Sequence, residues 1–279
     1  MKVTDFNLQQ TLECGQCFNF EKIDEQEYVV IAFGKVLHIT QHAPKSGELT
    51  GTSELELDAD EEDIKNIWIP YFDLDRDYDE IKSDIEQAEP RLSSAISRYS
   101  GLRILNQEFT ETLLSFIISQ NKNIPQIKKI VRAICEGFGG SGAEVNGVYY
   151  RTFPDKKQLE TMTEEDFREL KTGFRAPYLV NAVKTGLDGD ILRKMSYEDA
   201  KAQLTGIKGV GDKVANCVLL FSLGFRSAFP VDVWIKRIME EMYFGCDTDK
   251  KKIEAFAMDR FGKWGGYAQQ YLFMHAREK

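Results

Sequence analysis

Three glycines within six positions, between two segments of helical periodicity, constrain the fold of this chain more than any other feature. They are Gly206, Gly209 and Gly211, after a predicted helix over about 197–205 and before helical spacing that resumes at Asp212. Glycines at this density let the backbone approach a partner closely. Unpaired N–H groups and the helix dipole at the second helix start favour an anion such as phosphate. A glycine-rich connection in an ordinary helical protein is the alternative.

A lysine and an aspartate are placed so that the chain can bring them together. Lys213 lies in the first turn of the second helix, and Asp232 follows in the run FPVDVWIKRI. The helix up to Leu223 rises about 15 Å, and Gly224 is its expected stop. Eight extended residues can then travel back about 26 Å. Asp232 can therefore return to the helix start, where it is predicted to cap a further helix.

Lys213 has two interpretations. Its amine can attack carbon only when neutral, and a helix start with partial desolvation favours that form. An ionised Asp232 would act differently, by stabilising positive charge that develops on a sugar as its base departs. A lysine in such a hairpin can also contact a phosphate. The residues alone leave nucleophile and phosphate contact equally open.

The runs GVGDKVANC and FPVDVWIKR resemble the helix-hairpin-helix DNA glycosylases, and specifically the 8-oxoguanine DNA glycosylase/AP lyase family. Further matching segments extend the resemblance over nearly the whole chain, at 6–20, 115–124, 147–155, 173–178 and 266–273. The resemblance implies removal of 8-oxoguanine from double-stranded DNA, followed by strand cleavage by β-elimination through a Schiff base on Lys213. Superfamily members that only hydrolyse the glycosidic bond lack this lysine. No metal or other cofactor is expected.

The resemblance also implies roles for residues around the damaged base. Asp232 matches the family's essential aspartate. Cys217 and Phe273 would sandwich the flipped purine, Gln269 would meet its Watson–Crick edge, and the Gly15 carbonyl would accept the N7 hydrogen that guanine lacks. Ordinary core packing is the alternative for Cys217 and Phe273.

Three positions are expected to act on the opposite strand and the vacated stack. By resemblance, Asn121 fills the gap left by the extruded base, Phe174 is an aromatic wedge, and Arg175 contacts the estranged cytosine. The hairpin glycines Gly209 and Gly211 would contact phosphates. The alternatives are a helix cap for Asn121, a loop-anchoring hydrophobe for Phe174 and a solvated surface charge for Arg175.

Two positions depart from the family pattern. Gln126 stands where better-known members carry a second arginine for the orphan cytosine, so relaxed discrimination of the opposite base is predicted. Trp234 stands where they have a histidine, and an indole offers one hydrogen-bond donor only.

Strand signals are concentrated near the start of the chain. Residues 27–33 and 36–41 are predicted to form a hairpin with a Gly34-Lys35 turn. The acidic segment 54–63 is expected to mix a strand with a solvated loop. Helical spacing begins near Tyr78, and Pro125 falls where it can begin a helix.

These patterns predict an α+β fold of two domains. An antiparallel β domain is expected over 1–85, and the family resemblance implies that it is of the TBP-like type. An all-helical helix-hairpin-helix glycosylase domain is expected over 86–279, with the motif at about 197–223 and a C-terminal pocket helix.

Composition limits the partners. The formal net charge of −9 argues against a general DNA binder. Residues 204–238 nevertheless contain five basic and two acidic side chains, or +3, so weak and salt-sensitive DNA binding is expected. The five cysteines form no even disulfide framework, and we expect free thiols. No targeting or membrane-spanning segment is visible, and a cytoplasmic monomer is expected, associated with the nucleoid if bacterial.

Two other functions fit parts of the pattern. One is a monofunctional glycosylase of the same fold that acts on alkylated bases, which Lys213 disfavours. The other is a non-enzymatic DNA-binding protein that retains the hairpin for phosphates only. Such a module needs neither Lys213 nor Asp232 at these positions.

Overall fold

The computed structural model describes residues 1–43 and 52–278, and the predicted α+β fold is confirmed. Within the described residues, the N-terminal sheet contains strands β1 (Lys2–Thr4), β2 (Phe20–Lys22), β3 (Glu27–Ala32), β4 (Lys35–His42) and β5 (Thr52–Asp58). All neighbours pair antiparallel, in the order β1-β5-β4-β3-β2.

The turn between β3 and β4 differs from the prediction by one residue. Phe33 and Gly34 form the two-residue turn, with φ angles of 52° and 70°, and Ala32 pairs with Lys35. Tight hairpin turns that match strand twist need left-handed geometry at both central positions. The predicted hairpin is therefore confirmed, but the Gly34-Lys35 turn is wrong, because Lys35 already belongs to β4.

Helix α1 lies between β1 and β2, and the other helices follow β5 and make up most of the remaining chain. They are α1 (Leu8–Leu12), α2 (Glu61–Asp63), α3 (Ile69–Tyr71), α4 (Tyr78–Ala88), α5 (Ser93–Arg98), α6 (Phe109–Ile118), α7 (Ile124–Phe138), α8 (Lys156–Thr161), α9 (Glu164–Glu169), α10 (Ala176–Lys184), α11 (Gly189–Leu192), α12 (Tyr197–Thr205), α13 (Asp212–Phe221), α14 (Val233–Met239), α15 (Lys250–Phe261) and α16 (Gly265–Glu278). Short 3₁₀ turns cover Pro90–Leu92, Gly173–Arg175 and Gly262–Trp264, and π-helical turns cover Ile64–Trp68 and Glu240–Phe244.

The acidic segment 54–63 ends in helix rather than in the expected solvated loop. The side chain of Asp60 caps α2 by accepting a hydrogen bond from the Asp63 N–H at 2.7 Å. The chain continues through a π-helical turn to Trp68, which is buried against the sheet with Leu37 and Phe72. The Asp60 cap thus starts a helical segment, and the buried Trp68 at the end of this segment completes the sheet core.

Helices α6 and α13 form the centre of the helical core. Leu114 and Ile117 of α6 are fully buried, as are Val218 and Leu219 of α13. Phe116 stacks on Phe221, with ring centroids 5.6 Å apart and an interplanar angle of 16°. Since both helices are apolar on most sides, their packing fixes the position of the α13 start.

The second domain was predicted to be all-helical, and this prediction is wrong. The domain includes a hairpin of β6 (Gly142–Val145) and β7 (Val148–Arg151). Asn146 and Gly147 form its turn, with φ of 51° and 78°. Val145 and Tyr150 pack on the N-terminal sheet. Asn-Gly is the strongest short hairpin signal. The sequence therefore contained the signal for this hairpin, and the prediction missed it.

The predicted helix, glycine hairpin and helix are confirmed as α12, residues 206–211 and α13. Helix α13 ends at Phe221, two residues before the predicted Leu223. The Leu223 N–H donates to Val218 O, five residues back, at 3.1 Å. This bond leaves the α-helical pattern before the left-handed Gly224 (φ 80°) is reached.

The two hydrophobic cores do not divide at one point in the chain. Tyr78, Ile81 and Ile85 belong to the helical core, whereas Leu105 belongs to the sheet core. The boundary near residue 85 therefore stays a prediction. In the described ranges, no helix combines the length and the apolar character needed to cross a membrane.

Candidate active site and nucleic-acid interface

A cavity of about 60 Å³ lies where α13, the start of α14 and α16 meet the segment around Gly15. All six residues expected at the reaction and at the base line it. The lining consists of Cys14, Gly15, Phe116, Lys213, Cys217, Phe221, Pro230, Asp232, Gln269, Gln270 and Phe273. This volume is smaller than the roughly 300 Å³ at which typical ligand pockets begin.

Lys213 is the second residue of α13 and lies partly buried in this cavity. Its Nζ is 3.3 Å from the Ser119 Oγ and 4.9 Å from the centre of the Phe116 ring. A hydroxyl can accept from an ammonium group or donate to a neutral amine. Ser119 can therefore hold the Lys213 nitrogen in place in both protonation states.

Asp232 is the N-cap of α14, as the sequence predicted. Its Oδ1 accepts a hydrogen bond from the Ile235 N–H at 2.8 Å. This bond fixes the carboxylate at the cavity wall, beside the start of α13. Both Lys213 and Asp232 thus project from helix starts into one space.

Cys217 lies one turn after Lys213 and is buried in the cavity wall. Burial raises the pKa of its thiol to about 11, Lys213 lowers it in part, and Asp232 raises it further. The thiol therefore stays neutral near pH 7. A neutral thiol is a weak nucleophile, and its polarisable sulfur can contact the face of a flat base.

Gly15 and Phe273 are neighbours in the cavity wall. Gly15 has a φ of 86°, and a Cβ at this position would lie 3.7 Å from Phe273 Cε1 and 3.3 Å from Ile124 Cδ1. The left-handed backbone and the near contacts both favour glycine. The half-buried Phe273 ring is therefore held against the backbone that carries the Gly15 carbonyl.

The hairpin glycines have different environments. Gly209 has a φ of 89°, and a Cβ there would lie 2.4 Å from the Tyr178 ring. Gly211 is extended and faces open space, and it caps α13 without a side-chain hydrogen bond. The helix start at Gly211 is thus accessible to an anion.

Gln120 connects the hairpin to the other two segments expected at DNA. Its Nε2 donates to the Gly209 carbonyl at 3.1 Å, and its own carbonyl accepts from Arg175 Nη2. Asn121, next in the chain, is exposed with a left-handed φ of 52°. The hairpin, Asn121 and the 173–175 turn therefore form one surface beside the cavity.

Asn121 is not a helix cap. That position belongs to Asn123, which forms a capping box at the start of α7 with Gln126. Gln126 N–H donates to Asn123 Oδ1 at 3.0 Å, and Asn123 N–H donates to Gln126 Oε1 at 3.2 Å. Pro125 lies in the first turn of α7, as predicted. Asn121 is therefore left to project from the loop.

Phe174 and Arg175 differ sharply in exposure. Phe174 is 53% exposed, whereas Arg175 is 4% exposed, so the solvated-charge interpretation of Arg175 is wrong. The Arg175 guanidinium donates to the carbonyls of Thr172 and Gln120, and burial lowers its pKa. Arg175 lies 4.2 Å from the Phe174 ring centre. The buried Arg175 Nε has no hydrogen-bond partner among the described residues, so the guanidinium keeps donors beyond those that the two carbonyls use.

Fewer basic residues face solvent than the local charge of 204–238 suggested. Lys236 pairs with Glu240 and Asp247, and Arg226 donates to Asn106 Oδ1 and the Leu220 carbonyl. Lys208 and Arg237 are exposed. Trp234 is 46% exposed, with Arg237 5.9 Å from its ring centre.

Several residues of this region were missed at the level of sequence, and four of them have polar or ring contacts at the site. Phe116, Ser119 and Gln120 contact Lys213 or the hairpin, and Gln270 lines the cavity. The polar break SQNKN after an apolar helix was noticed only for its asparagine. Two consecutive glutamines in the apolar run GGYAQQYLF were a further signal of a polar site, since buried amide side chains are rare.

A larger cavity of about 400 Å³ lies between β2, α7 and the β6–β7 hairpin. Its basic residues include Lys128, which stacks on Phe20, and Arg132, which pairs with Glu136. The lining lacks a lysine at a helix start with a capping carboxylate. The residue types in the lining therefore favour the smaller cavity as the candidate active site.

Family comparisons agree with this site. A model described as "8-oxoguanine DNA glycosylase, N-terminal domain" matches residues 1–113. A second, "HhH-GPD superfamily base excision DNA repair protein", matches residues 114–263. The N-glycosylase/DNA lyase OGG1 of Arabidopsis thaliana is 28% identical over 289 residues, covering 97% of this chain and 77% of the relative. A probable N-glycosylase/DNA lyase of Methanothermobacter thermautotrophicus is 31% identical over 229 residues, covering 74% and 72%.

A solved structure is similar over almost the full length. The Clostridium acetobutylicum 8-oxoguanine glycosylase/lyase, in complex with double-stranded DNA containing cytosine opposite 8-oxoguanine, has a TM-score of 0.90 and 39% identity. The match covers 99% of this chain and 93% of that one. The chain therefore belongs to the 8-oxoguanine DNA glycosylase/AP lyase family, within the helix-hairpin-helix superfamily of base excision repair proteins.

Proposed function

We propose that this protein removes 8-oxoguanine from duplex DNA and then cleaves the strand at the resulting site. The observation that carries the proposal is the cavity in which Lys213 and Asp232 project from two helix starts beside Cys217, Gln269 and Phe273. A lysine nucleophile, a fixed carboxylate and a flat, partly apolar wall are together what base excision with a Schiff base requires.

The reaction begins with the damaged nucleotide outside the duplex, because no side chain can reach its sugar carbon in the stack. The neutral Lys213 amine attacks C1′, the C1′–N9 bond breaks, and the base leaves with the bonding electron pair and takes a proton. Asp232 stabilises the positive charge that develops on the sugar. Opening of the sugar ring gives a Schiff base between Lys213 and C1′.

Strand cleavage follows from the Schiff base. The imine acidifies the C2′ proton, and its removal expels the 3′ phosphate by β-elimination. Hydrolysis of the imine then releases Lys213. Every step uses the amine, a proton acceptor and water, and the proposal needs no metal.

The cavity walls account for base recognition in this proposal. Cys217 and Phe273 contact the two faces of the purine, and Gln269 meets its Watson–Crick edge. The Gly15 carbonyl accepts the N7 hydrogen, which 8-oxoguanine has and guanine lacks. One extra hydrogen bond in a buried site supports discrimination between the two bases.

The surface beside the cavity would hold the duplex open. Gly209 and Gly211 contact phosphates, Asn121 fills the vacated stack, and Phe174 inserts as a wedge. Arg175 contacts the estranged cytosine with guanidinium donors that the Thr172 and Gln120 carbonyls do not use. We also propose that the protein acts as a monomer in the cytoplasm, with a sheet domain over 1–85.

Borohydride trapping on duplex DNA with 8-oxoguanine opposite cytosine tests the proposal. Wild-type protein should give a covalent protein–DNA adduct, and Lys213→Gln should give none. Lys208→Gln removes the same charge from an exposed position of the hairpin and should keep the adduct at saturating protein concentration. Base release without an adduct from wild type would show a monofunctional enzyme and overturn the role of Lys213.

A further inference from the structure

Gln270 is a buried amide in the wall of the proposed base cavity. It is 3% exposed, and the neighbouring Gln269 is 4% exposed. Its Nε2 donates a hydrogen bond to Gln269 Oε1 at 2.8 Å. Its own Oε1 is buried and has no hydrogen-bond partner among the described residues. A buried acceptor without a partner destabilises the free protein. A hydrogen bond that this acceptor makes to a bound base would explain why it is kept.

The hydrogen bond between the two amides determines which way Gln269 points. Because Gln270 Nε2 donates, the Oε1 of Gln269 must lie on the Gln270 side, and the Nε2 of Gln269 must lie on the far side. Both residues line the cavity, and we infer that they present to a bound base a donor from Gln269, an acceptor from Gln269 and an acceptor from Gln270, in that order.

A guanine-type base presents the complementary order on its Watson–Crick edge. O6 accepts a hydrogen bond, N1–H donates one, and the exocyclic 2-amino group donates another. Adenine presents a donor and then an acceptor, so it would face the Gln269 amide with both groups mismatched. The paired glutamines therefore match a 2-amino-6-oxopurine across all three positions.

We propose that Gln270 is a specificity-determining residue, which rests on the proposed excision of 8-oxoguanine. Its Oε1 accepts a hydrogen bond from the 2-amino group of the flipped base, and its Nε2 holds the Gln269 amide in the orientation that reads O6 and N1–H. Gln270 contacts the base and takes no part in bond breaking at C1′.

The test combines a change of residue with a change of one substrate group. Single-turnover base release is measured on 8-oxoguanine and on 8-oxohypoxanthine, which lacks only the 2-amino group, in the same duplex. Wild type should release 8-oxoguanine about tenfold faster or more, the scale of one buried hydrogen bond. Gln270→Met keeps the side-chain length and should bring the ratio of the two rates close to one, mainly by slowing 8-oxoguanine release.

A matched control and the wild-type ratio make each outcome decisive. Gln87→Met makes the same change at an exposed position on α4 and should keep the wild-type ratio. An equal loss of rate on both bases in Gln270→Met would indicate a structural role only and overturn the inference. Equal wild-type rates on the two bases would overturn it even if the variant did not fold. If wild type released neither base while remaining folded, the proposed function itself would fall.

Discussion

Asp232 performs two tasks that a substitution can separate. Its carboxylate caps α14 through the Ile235 N–H, and in the proposed reaction its charge stabilises the sugar cation. Asparagine caps a helix about as well as aspartate but carries no charge. We expect Asp232→Asn to keep the thermal stability of the protein and to slow base release about 100-fold or more. Melting temperature and single-turnover release on 8-oxoguanine DNA measure the two effects.

Asp249 supplies the control for this prediction. It caps α15 in the same manner, by accepting from the Lys251 N–H at 2.8 Å. Asp249→Asn should change neither the stability nor the rate. A normal rate in Asp232→Asn would mean that capping is the only task of Asp232.

Gln126 departs from the pattern that the family resemblance implies. Its side chain is exposed and completes the capping box of α7, so no guanidinium is available here for the orphan cytosine. We expect wild type to excise 8-oxoguanine opposite adenine as well as cytosine. Gln126→Arg should raise the preference for cytosine about tenfold or more, the scale of one bidentate base contact. Release rates opposite the two bases, measured at saturating protein, give the ratio.

The chain contains a matched control for Gln126. Gln158 occupies the same position in the capping box of α8, with Asp155 as its partner. Gln158→Arg loses the same cap but should leave the preference unchanged. A cytosine preference of several orders of magnitude in wild type would contradict the prediction.

At the scale of elements, the glycine hairpin is held by packing against α10. Gly209 combines a left-handed backbone with a Cβ position 2.4 Å from the Tyr178 ring. We expect Gly209→Ala to lower the free energy of unfolding by about 2 kcal/mol or more, since strain and overpacking add. Gly147→Ala is the comparison, because Gly147 is also left-handed (φ 78°) but faces open space. Urea denaturation of both variants should show the larger loss for Gly209→Ala, and equal losses would exclude the Tyr178 contact as a cause.

The elements that carry the site were largely predictable, and the reasons are local. The lysine helix, the glycine hairpin and the Asp232 cap each follow from residues close in the sequence. The Gln120 contacts with Gly209 and Arg175 could not be predicted, because they join segments far apart in the chain. The β6–β7 hairpin was missed for another reason: its Asn-Gly turn signal is local, but it lies within a region assigned to helices.

Whether a given residue is solvated also depended on the tertiary structure. Arginine is usually a surface residue. Arg175 is nevertheless buried, and its guanidinium donates hydrogen bonds to two backbone carbonyls. The positions of the base cavity came from the resemblance, and the folded chain brings all of them to one place. Chemistry at a site can thus be predicted from short motifs, whereas burial and side-chain direction require the fold.

At the scale of the whole molecule, the sheet and helical cores meet around Glu111 of α6. Asn19, Cys17, Tyr71 and Cys135 lie close to its carboxyl group. Burial raises the pKa of Glu111 from 4.5 to about 8, Glu108 adds to this, and Asn19 opposes it. Between these two pH values the folded protein therefore keeps a proton that the unfolded chain releases.

This difference in proton binding predicts a loss of stability with rising pH. Where the folded state holds more protons, the free energy of unfolding falls as pH increases. On account of Glu111 it should fall between about pH 5 and pH 8 by about 1 kcal/mol or more, and the decline should end above pH 8. Glu111→Gln cannot ionise, so it should lack this decline and be more stable than wild type at pH 8. Glu160→Gln, at an exposed position of α8, should retain the wild-type profile. Urea denaturation at pH 5, 6.5 and 8 measures all three proteins, and parallel profiles for wild type and Glu111→Gln would show that Glu111 is ionised in the folded state.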